Sequence, residues 1–298
     1  MIGWRSGGGS VKAGKDFIPI VIAYLLCIAA GYAVLGYAGL PQPWDAFAAD
    51  IVATLVIFAF SVAFRNSSFY DAYWSVIPPL LALWWMQSHT GMSGDARAII
   101  VMALVCVWAI RLTTNWAAHW GGLNHEDWRY PLVRARAGKA ALLADLFGIH
   151  LFPTVQVFLG CLPIYAVMSR GGAPLGWLDA LAFAVTLGAI LIETIADLQL
   201  HAFVARREPG AFMRSGLWAW SRHPNYFGEL GFWCGLALFG LAAAPSQWWW
   251  LTPGALAMAA MFVFASIPFM DRRSLERRPA YADYMRQTSA LVPLPPRR

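Results

Sequence analysis

Eight long runs dominated by apolar residues recur along this chain, at roughly 17–39, 46–64, 72–88, 98–118, 147–168, 175–198, 226–244 and 248–270. Crossing a hydrocarbon layer of about 30 Å takes roughly 20 such residues. Hydrocarbon offers no hydrogen-bond partner, so a spanning backbone must satisfy itself, and uninterrupted apolar runs of this length do so as helices. Breaks such as Leu40-Pro41-Gln42-Pro43 and Gly171-Gly172-Ala173-Pro174 separate the runs. The third run holds Pro78 and Pro79 and the seventh holds Glu229, which sets the count at seven to eight. The expectation is an all-α polytopic membrane helix bundle of about eight transmembrane helices.

Only 13% of the 298 residues are charged, against about 25% in soluble domains, which excludes a water-soluble globule. Eight crossings leave no room for a second sizeable soluble domain. One membrane-embedded domain is therefore expected over residues 17–298, behind a flexible basic lead at 1–16 that carries Arg5, Lys12 and Lys15. Cys27, Cys106, Cys161 and Cys234 sit inside apolar runs without a CxxC pair and read as buried fillers.

Basic residues accumulate in short cytoplasmic loops. With an inside amino terminus, eight crossings place 20 Lys and Arg on the cytoplasmic side and only Arg97 and Arg170 outside. This asymmetry predicts both termini in the cytosol. It also accounts for the net charge of +6 through topology and anionic lipid, without nucleic acid.

Under that topology the polar groups gather at the cytoplasmic ends of helices: Tyr70, Asp71 and Tyr73, Arg111 with Asn115, Glu193 with Asp197, and Asn225 with Glu229. Glu193, Asp197 and His201 share one helical face, where bare carboxylates beside acyl chains are costly. They read either as a polar pocket or as a salt network with the arginines of the next loop. In Arg222-His223-Pro224-Asn225-Tyr226-Phe227-Gly228-Glu229, Pro224 suits the first helical position. That setting puts Asn225 and Glu229 one turn apart behind free backbone N–H groups. The turn is readable as an anion or polar-cofactor cradle, or as an interfacial anchor with Trp218 and Trp220. Among the six histidines there is no HExxH and no paired di-iron box. The cluster of His119, His125, Glu126 and Asp127 reads as a solvated turn, and no metal is expected.

The same segment, preceded by Gly216-Leu217-Trp218 and followed by Arg277-Arg278-Pro279-Ala280-Tyr281-Ala282-Asp283-Tyr284 and Thr288-Ser289-Ala290-Leu291-Val292-Pro293, resembles the DUF1295 membrane proteins, which are related to the carboxy-terminal domain of steroid 5-alpha reductases. The match is most specific over residues 190–298. Asn66-Ser67, Asp71, Trp74, Arg111-Leu112 and Glu126-Asp127-Trp128-Arg129-Tyr130 extend it upstream.

The resemblance implies a bacterial inner-membrane reductase with its active site facing the cytosol. It would use NADPH to saturate a carbon–carbon double bond conjugated to a carbonyl in an apolar, lipid-like or sterol-like substrate. Carried over residue by residue, cofactor contacts fall on Asp197, Asn225 and Glu229 and on Arg207-Glu208-Pro209-Gly210, with Glu193 standing where steroid reductases have an amide. Arg206, Arg207, Arg214 and Arg222 are candidates for the phosphates, and His223 and Tyr226 lie in the cradle. For polarising the carbonyl the candidates are Asp71, Tyr70 and Tyr73, tuned by Arg111. Steroid reductases use a Glu and a Tyr in that role, and this chain has no Glu before Glu126. Helix capping, or pairing with Arg65 or Arg111, is the other reading of Asp71. No GxGxxG fingerprint is present, so a nucleotide would be held by helix ends.

Isoprenylcysteine carboxyl methyltransferases carry a similar Arg-His-Pro turn that receives S-adenosylmethionine. Methyl transfer is therefore a second expectation, and non-catalytic lipid binding a third.

Overall fold

A backbone without solvent partners has one local solution, and every apolar run adopts it. The computed structural model describes residues 13–37, 39–89, 91, 94–170 and 174–297. Most of the expected basic lead, with Arg5 and Lys12, lies outside the described residues. The main helices are α1 (Ala13–Tyr37), α2 (Trp44–Phe64), α3 (Tyr73–Ser88), α4 (Ala96–His119), α5 (Arg129–Ser169), α6 (Trp177–Arg206), α7 (Pro224–Ala243), α8 (Pro245–Arg277) and the short α9 (Tyr281–Gln287). The described residues form no strand, only a single bridge between Ser221 and Ser289. The chain is thus an all-helical bundle, and among the described residues seven helices are long and apolar enough to span a membrane.

The remaining run, the third, is α3, which at 16 residues rises only about 24 Å. Its shortness follows from how it begins. After α2, Arg65 takes a left-handed conformation at φ 53°, and the chain turns inward as a buried 3-10 turn over Ser67–Tyr70. Irregular backbone at this depth needs protein partners, and polar side chains supply them. Asn66 accepts from the Ser68 N–H at 2.9 Å and donates to the carbonyls of Leu123 and His125 at 2.7 and 3.1 Å. Glu126 accepts from the Ser67 N–H at 2.7 Å, and the Asp127 N–H donates to Ser68 Oγ at 3.0 Å. The α2–α3 connection and the α4–α5 loop are therefore one sealed unit, and α3 starts below the surface of the bundle.

The same bonds order the helix ends. The end containing this unit also receives the start of α1, where Asp16 accepts from the Leu123 N–H at 3.3 Å. The carboxy-terminal segment is there too, with the Leu294 N–H bonded to the Trp220 carbonyl at 3.0 Å. At the opposite end, Arg97 at the start of α4 forks onto Asp179 at the start of α6, with bonds of 2.6 and 2.9 Å. Both described chain ends lie at the first, arginine-rich end.

Helices α6 and α7 meet through glycines. A Cβ on Gly235 would stand 2.1 Å from Thr186 Oγ1, and one on Gly228 would stand 2.8 Å from the Ala189 carbonyl. Small residues let helix backbones approach where lipid provides no hydrophobic drive for association. That close approach places the polar residues of α6 against the first turn of α7.

Candidate cofactor site and buried polar network

Pro224 opens α7, so the backbone delivers Asn225 and Glu229 to one face a turn apart. Facing them from α6 and α4 are Glu193, Asp197 and Arg111, all sequence candidates. Arg111 pairs with Glu193 at 2.6 Å and with Asp197 at 3.0 Å. Asp197 also accepts from Asn115 at 3.2 Å and Asn225 at 3.4 Å. Glu229 is held by two indoles, Trp108 at 2.9 Å and Trp233 at 2.8 Å. Three carboxylates against one guanidinium leave this cluster formally short of positive charge. Two acceptors are buried without a hydrogen-bond partner, Glu193 Oε2 and Asn225 Oδ1, on residues only 5% and 8% exposed. Burying an unsatisfied acceptor costs about 1–3 kcal/mol, so donors from a ligand fit here.

His201 leaves this group and faces His119, with ring centroids 4.0 Å apart.

Arg222 and His223 have a different occupation. Arg222 forks onto Asp271, with a closest distance of 2.7 Å, and donates to the carbonyls of Thr288 at 2.6 Å and Met285 at 3.2 Å. His223 Nε2 and the Tyr281 hydroxyl share the other Asp271 oxygen at 3.0 and 2.9 Å. The Arg222 guanidinium, expected on a phosphate, is thereby engaged in clamping the carboxy-terminal segment to α7. Tyr226 stacks between His223 and Phe262.

Beside this clamp, at the arginine-rich end, lies a cavity of about 170 Å³. Arg207, Arg222, Arg273, Arg277 and Arg278 line it and no Asp or Glu does. Trp128, under the Arg273 guanidinium at 3.1 Å, and Trp218 complete part of the wall. Burial and the charges of Arg207 and Arg277 push the Arg278 pKa down, the mark of cations crowded without an anion. Of the other two predicted arginines, Arg206 borders a more open neighbouring depression and Arg214 is exposed. Sequence reading missed Arg273, Arg277 and Arg278 because they read as topology-setting charges in the tail.

The carbonyl-polarising candidates divide. Asp71 accepts a short hydrogen bond from the Tyr130 hydroxyl. Its carboxyl is pushed up to about 6 by burial and the nearby Asp127 charge. Asp127 itself is held below the usual range because Arg129, at 2.8 Å, outweighs its burial. Among the described residues no ion pair joins Asp71 to Arg65 or Arg111, so the alternative pairings expected for it give way to Tyr130. Tyr73, by contrast, donates to Asp50 Oδ1 at 2.7 Å, and Tyr70 meets Thr154 at 2.7 Å. Asp50, 3% exposed, was absent from the sequence candidates. Its signal was legible as a lone acid inside the second apolar run, where ionisable residues are costly and by default functional.

The family described as "Protein of unknown function (DUF1295)" matches residues 57–288. An uncharacterized protein of Schizosaccharomyces pombe is 28% identical over 262 residues, covering 80% of this chain and 76% of its own length. No solved structure matches.

Proposed function

The chain belongs to the DUF1295 family, and from that premise we propose that it is an integral membrane reductase. It saturates a carbonyl-conjugated double bond of an apolar, lipid-like substrate with NADPH. The observation that carries this reading is the meeting of Arg111, Glu193, Asp197, Asn225 and Glu229 around two unpartnered buried acceptors, next to a cavity lined by arginines and no acid.

The residues present suit this cofactor. Arg207, Arg273, Arg277 and Arg278 offer guanidinium forks to its phosphates, while Asn225, Glu193 and Asp197 offer acceptors to its amide and ribose hydroxyls. When bound, NADPH supplies the hydride for the reduction. On substrate binding, the Tyr73 hydroxyl hydrogen would turn from Asp50 to the substrate carbonyl, where it stabilises the charge that grows on the oxygen. Ser75 and Thr113, bonded at 2.9 Å, join α3 to α4, so Tyr73 and Arg111 stand on coupled helices. The bundle keeps bulk water from the reacting carbons. The positive-inside asymmetry supports a cytosolic setting for the arginine-rich end, and with it for this site and both termini, and the reading assigns the helices to a bacterial inner membrane.

The formal deficit of positive charge around Arg111 also suits a sulfonium, which supports S-adenosylmethionine-dependent methyl transfer as the second reading. The test is titration of detergent-purified protein with NADPH, NADH and S-adenosylmethionine, repeated on Asn225→Ala and Glu229→Gln. The reductase reading expects NADPH to bind and both variants to weaken it at least tenfold. Binding of S-adenosylmethionine alone hands the site to methyl transfer, and binding of neither leaves a lipid-binding protein.

A further inference from the structure

Arg97, Arg111, Arg129, Arg134 and Arg222 each pair with an Asp or Glu. Among the described residues Arg273 makes no ion pair. Its guanidinium meets the face of Trp128 instead, 3.1 Å from the ring centroid, a contact that contributes little where water reaches it. The cavity beside it is lined by Arg207, Arg277 and Arg278 and by no acid. An anion entering there is the partner that Arg273 lacks.

Of the two stacked groups, Trp128 is the fixed one. The Asp127 N–H on one side of it donates to Ser68 Oγ at 3.0 Å, and on the other side the Arg129 N–H and guanidinium both reach the Asp127 carboxylate at 2.8 Å. Phe269 lies parallel to the indole, with centroids 5.0 Å apart and planes at 8°. Arg273, by contrast, reaches the ring on a long, flexible side chain. The cavity of about 170 Å³ is smaller than the roughly 300–1,000 Å³ of small-molecule sites. Moving Arg273 aside adds a flat slot over the indole, next to the remaining guanidiniums.

We propose that the Trp128 face is the adenine subsite of the cofactor site, and that Arg273 is exchanged for the base when a nucleotide binds. This rests on the NADPH reading for the ligand's class, an adenosine phosphate, and on the contact of Arg273 with Trp128 for its place. The adenine ring takes the indole face, where stacking needs only the π-face of the base. The Arg273 guanidinium, equally planar, leaves that face and forks onto a phosphate beside Arg207, Arg277 and Arg278. A phosphate without a base leaves Trp128 unused. A nucleoside without a phosphate has to displace Arg273 with nothing to receive it.

The experiment titrates detergent-purified protein with 2′,5′-ADP, adenosine and inorganic pyrophosphate, in wild type, Trp128→Leu, Trp128→Phe and Arg273→Ala. Trp128→Leu is expected to weaken 2′,5′-ADP about tenfold or more, through loss of the base stack, and to leave pyrophosphate binding unchanged. Trp128→Phe keeps most of the affinity because it keeps an aromatic face. Arg273→Ala gives the sharper test. There 2′,5′-ADP loses a phosphate partner and binds more weakly, whereas adenosine meets an uncovered ring and binds about threefold tighter or more. Opposite changes in one protein cannot come from a loss of fold. The subsite is overturned by unchanged 2′,5′-ADP binding in Trp128→Leu, by no gain for adenosine in Arg273→Ala, or by no 2′,5′-ADP binding to wild type. If NADPH binds but Trp128→Leu holds 2′,5′-ADP as wild type does, the subsite falls and the NADPH reading stands. If S-adenosylmethionine and not NADPH competes with 2′,5′-ADP, the reductase reading falls and the subsite stands.

Discussion

Trp108 and Glu229 stand 121 positions apart in the chain, yet the indole N–H of one donates to a carboxylate oxygen of the other at 2.9 Å. The bond ties α4 to the first turns of α7, and with Trp233 on the second oxygen it fixes the carboxylate plane that faces Arg111 and Glu193. Trp108→Phe keeps the ring that stacks on Phe232 at 4.4 Å but removes the donor. The expected result is a loss of about 1–3 kcal/mol in stability, from a buried acceptor left bare, together with weaker NADPH binding. Unfolding and titration of the variant check both, and wild-type affinity would show the indole bond to be idle.

The two ion-paired arginines of α4 separate structure from site. Arg97 and Asp179 are paired at the end remote from the polar cluster, whereas Arg111 serves Glu193 and Asp197 inside it. Breaking a buried pair leaves an uncompensated charge and costs about 3–5 kcal/mol. Arg97→Met and Arg111→Met are both expected to lose stability on that scale, but only Arg111→Met abolishes nucleotide binding in protein that is still folded. Equal binding by the two variants would remove Arg111 from the site.

Arg222 holds the carboxy-terminal segment through Asp271 and the carbonyls of Met285 and Thr288. Lysine keeps the charge but cannot reproduce the fork. Arg222→Lys is therefore expected to release residues 281–297 to proteolysis while leaving α1 to α6 protected, as read by limited digestion and mass spectrometry. A digestion pattern identical to wild type would refute the clamp.

Asp71 gives the chain a predictable response to pH. Its carboxyl titrates near 6 in the fold against an ordinary 3.8, raised first by burial and then by Asp127. The folded state holds this proton more tightly than the unfolded chain does. The stabilising contribution is therefore complete below about pH 4 and is lost as pH rises through 6. Asp71→Asn removes that loss. The melting temperature of the variant minus that of wild type should grow by roughly 2–4 °C between pH 5 and 7, about 1 kcal/mol in a chain of this size. A difference independent of pH would mean that Asp71 does not titrate in this window.

The sequence alone determined the helices and much of their order, because the length and polarity of an apolar run are local properties and hydrocarbon leaves the backbone no other structure. It also marked Asp197, Asn225 and Glu229, since a proline at a helix start and a four-residue spacing put side chains on a known face. It did not decide which charges are free. Arg222 is bound by Asp271, 49 positions away, while Arg273, Arg277 and Arg278 turn into the cavity. Asp71 is taken by Tyr130, and Asp50 meets Tyr73 only because the α2–α3 connection folds inward. Whether a buried charge or hydroxyl is satisfied depends on distances of a few ångströms between residues far apart in the chain, and only the packing of the helices sets those.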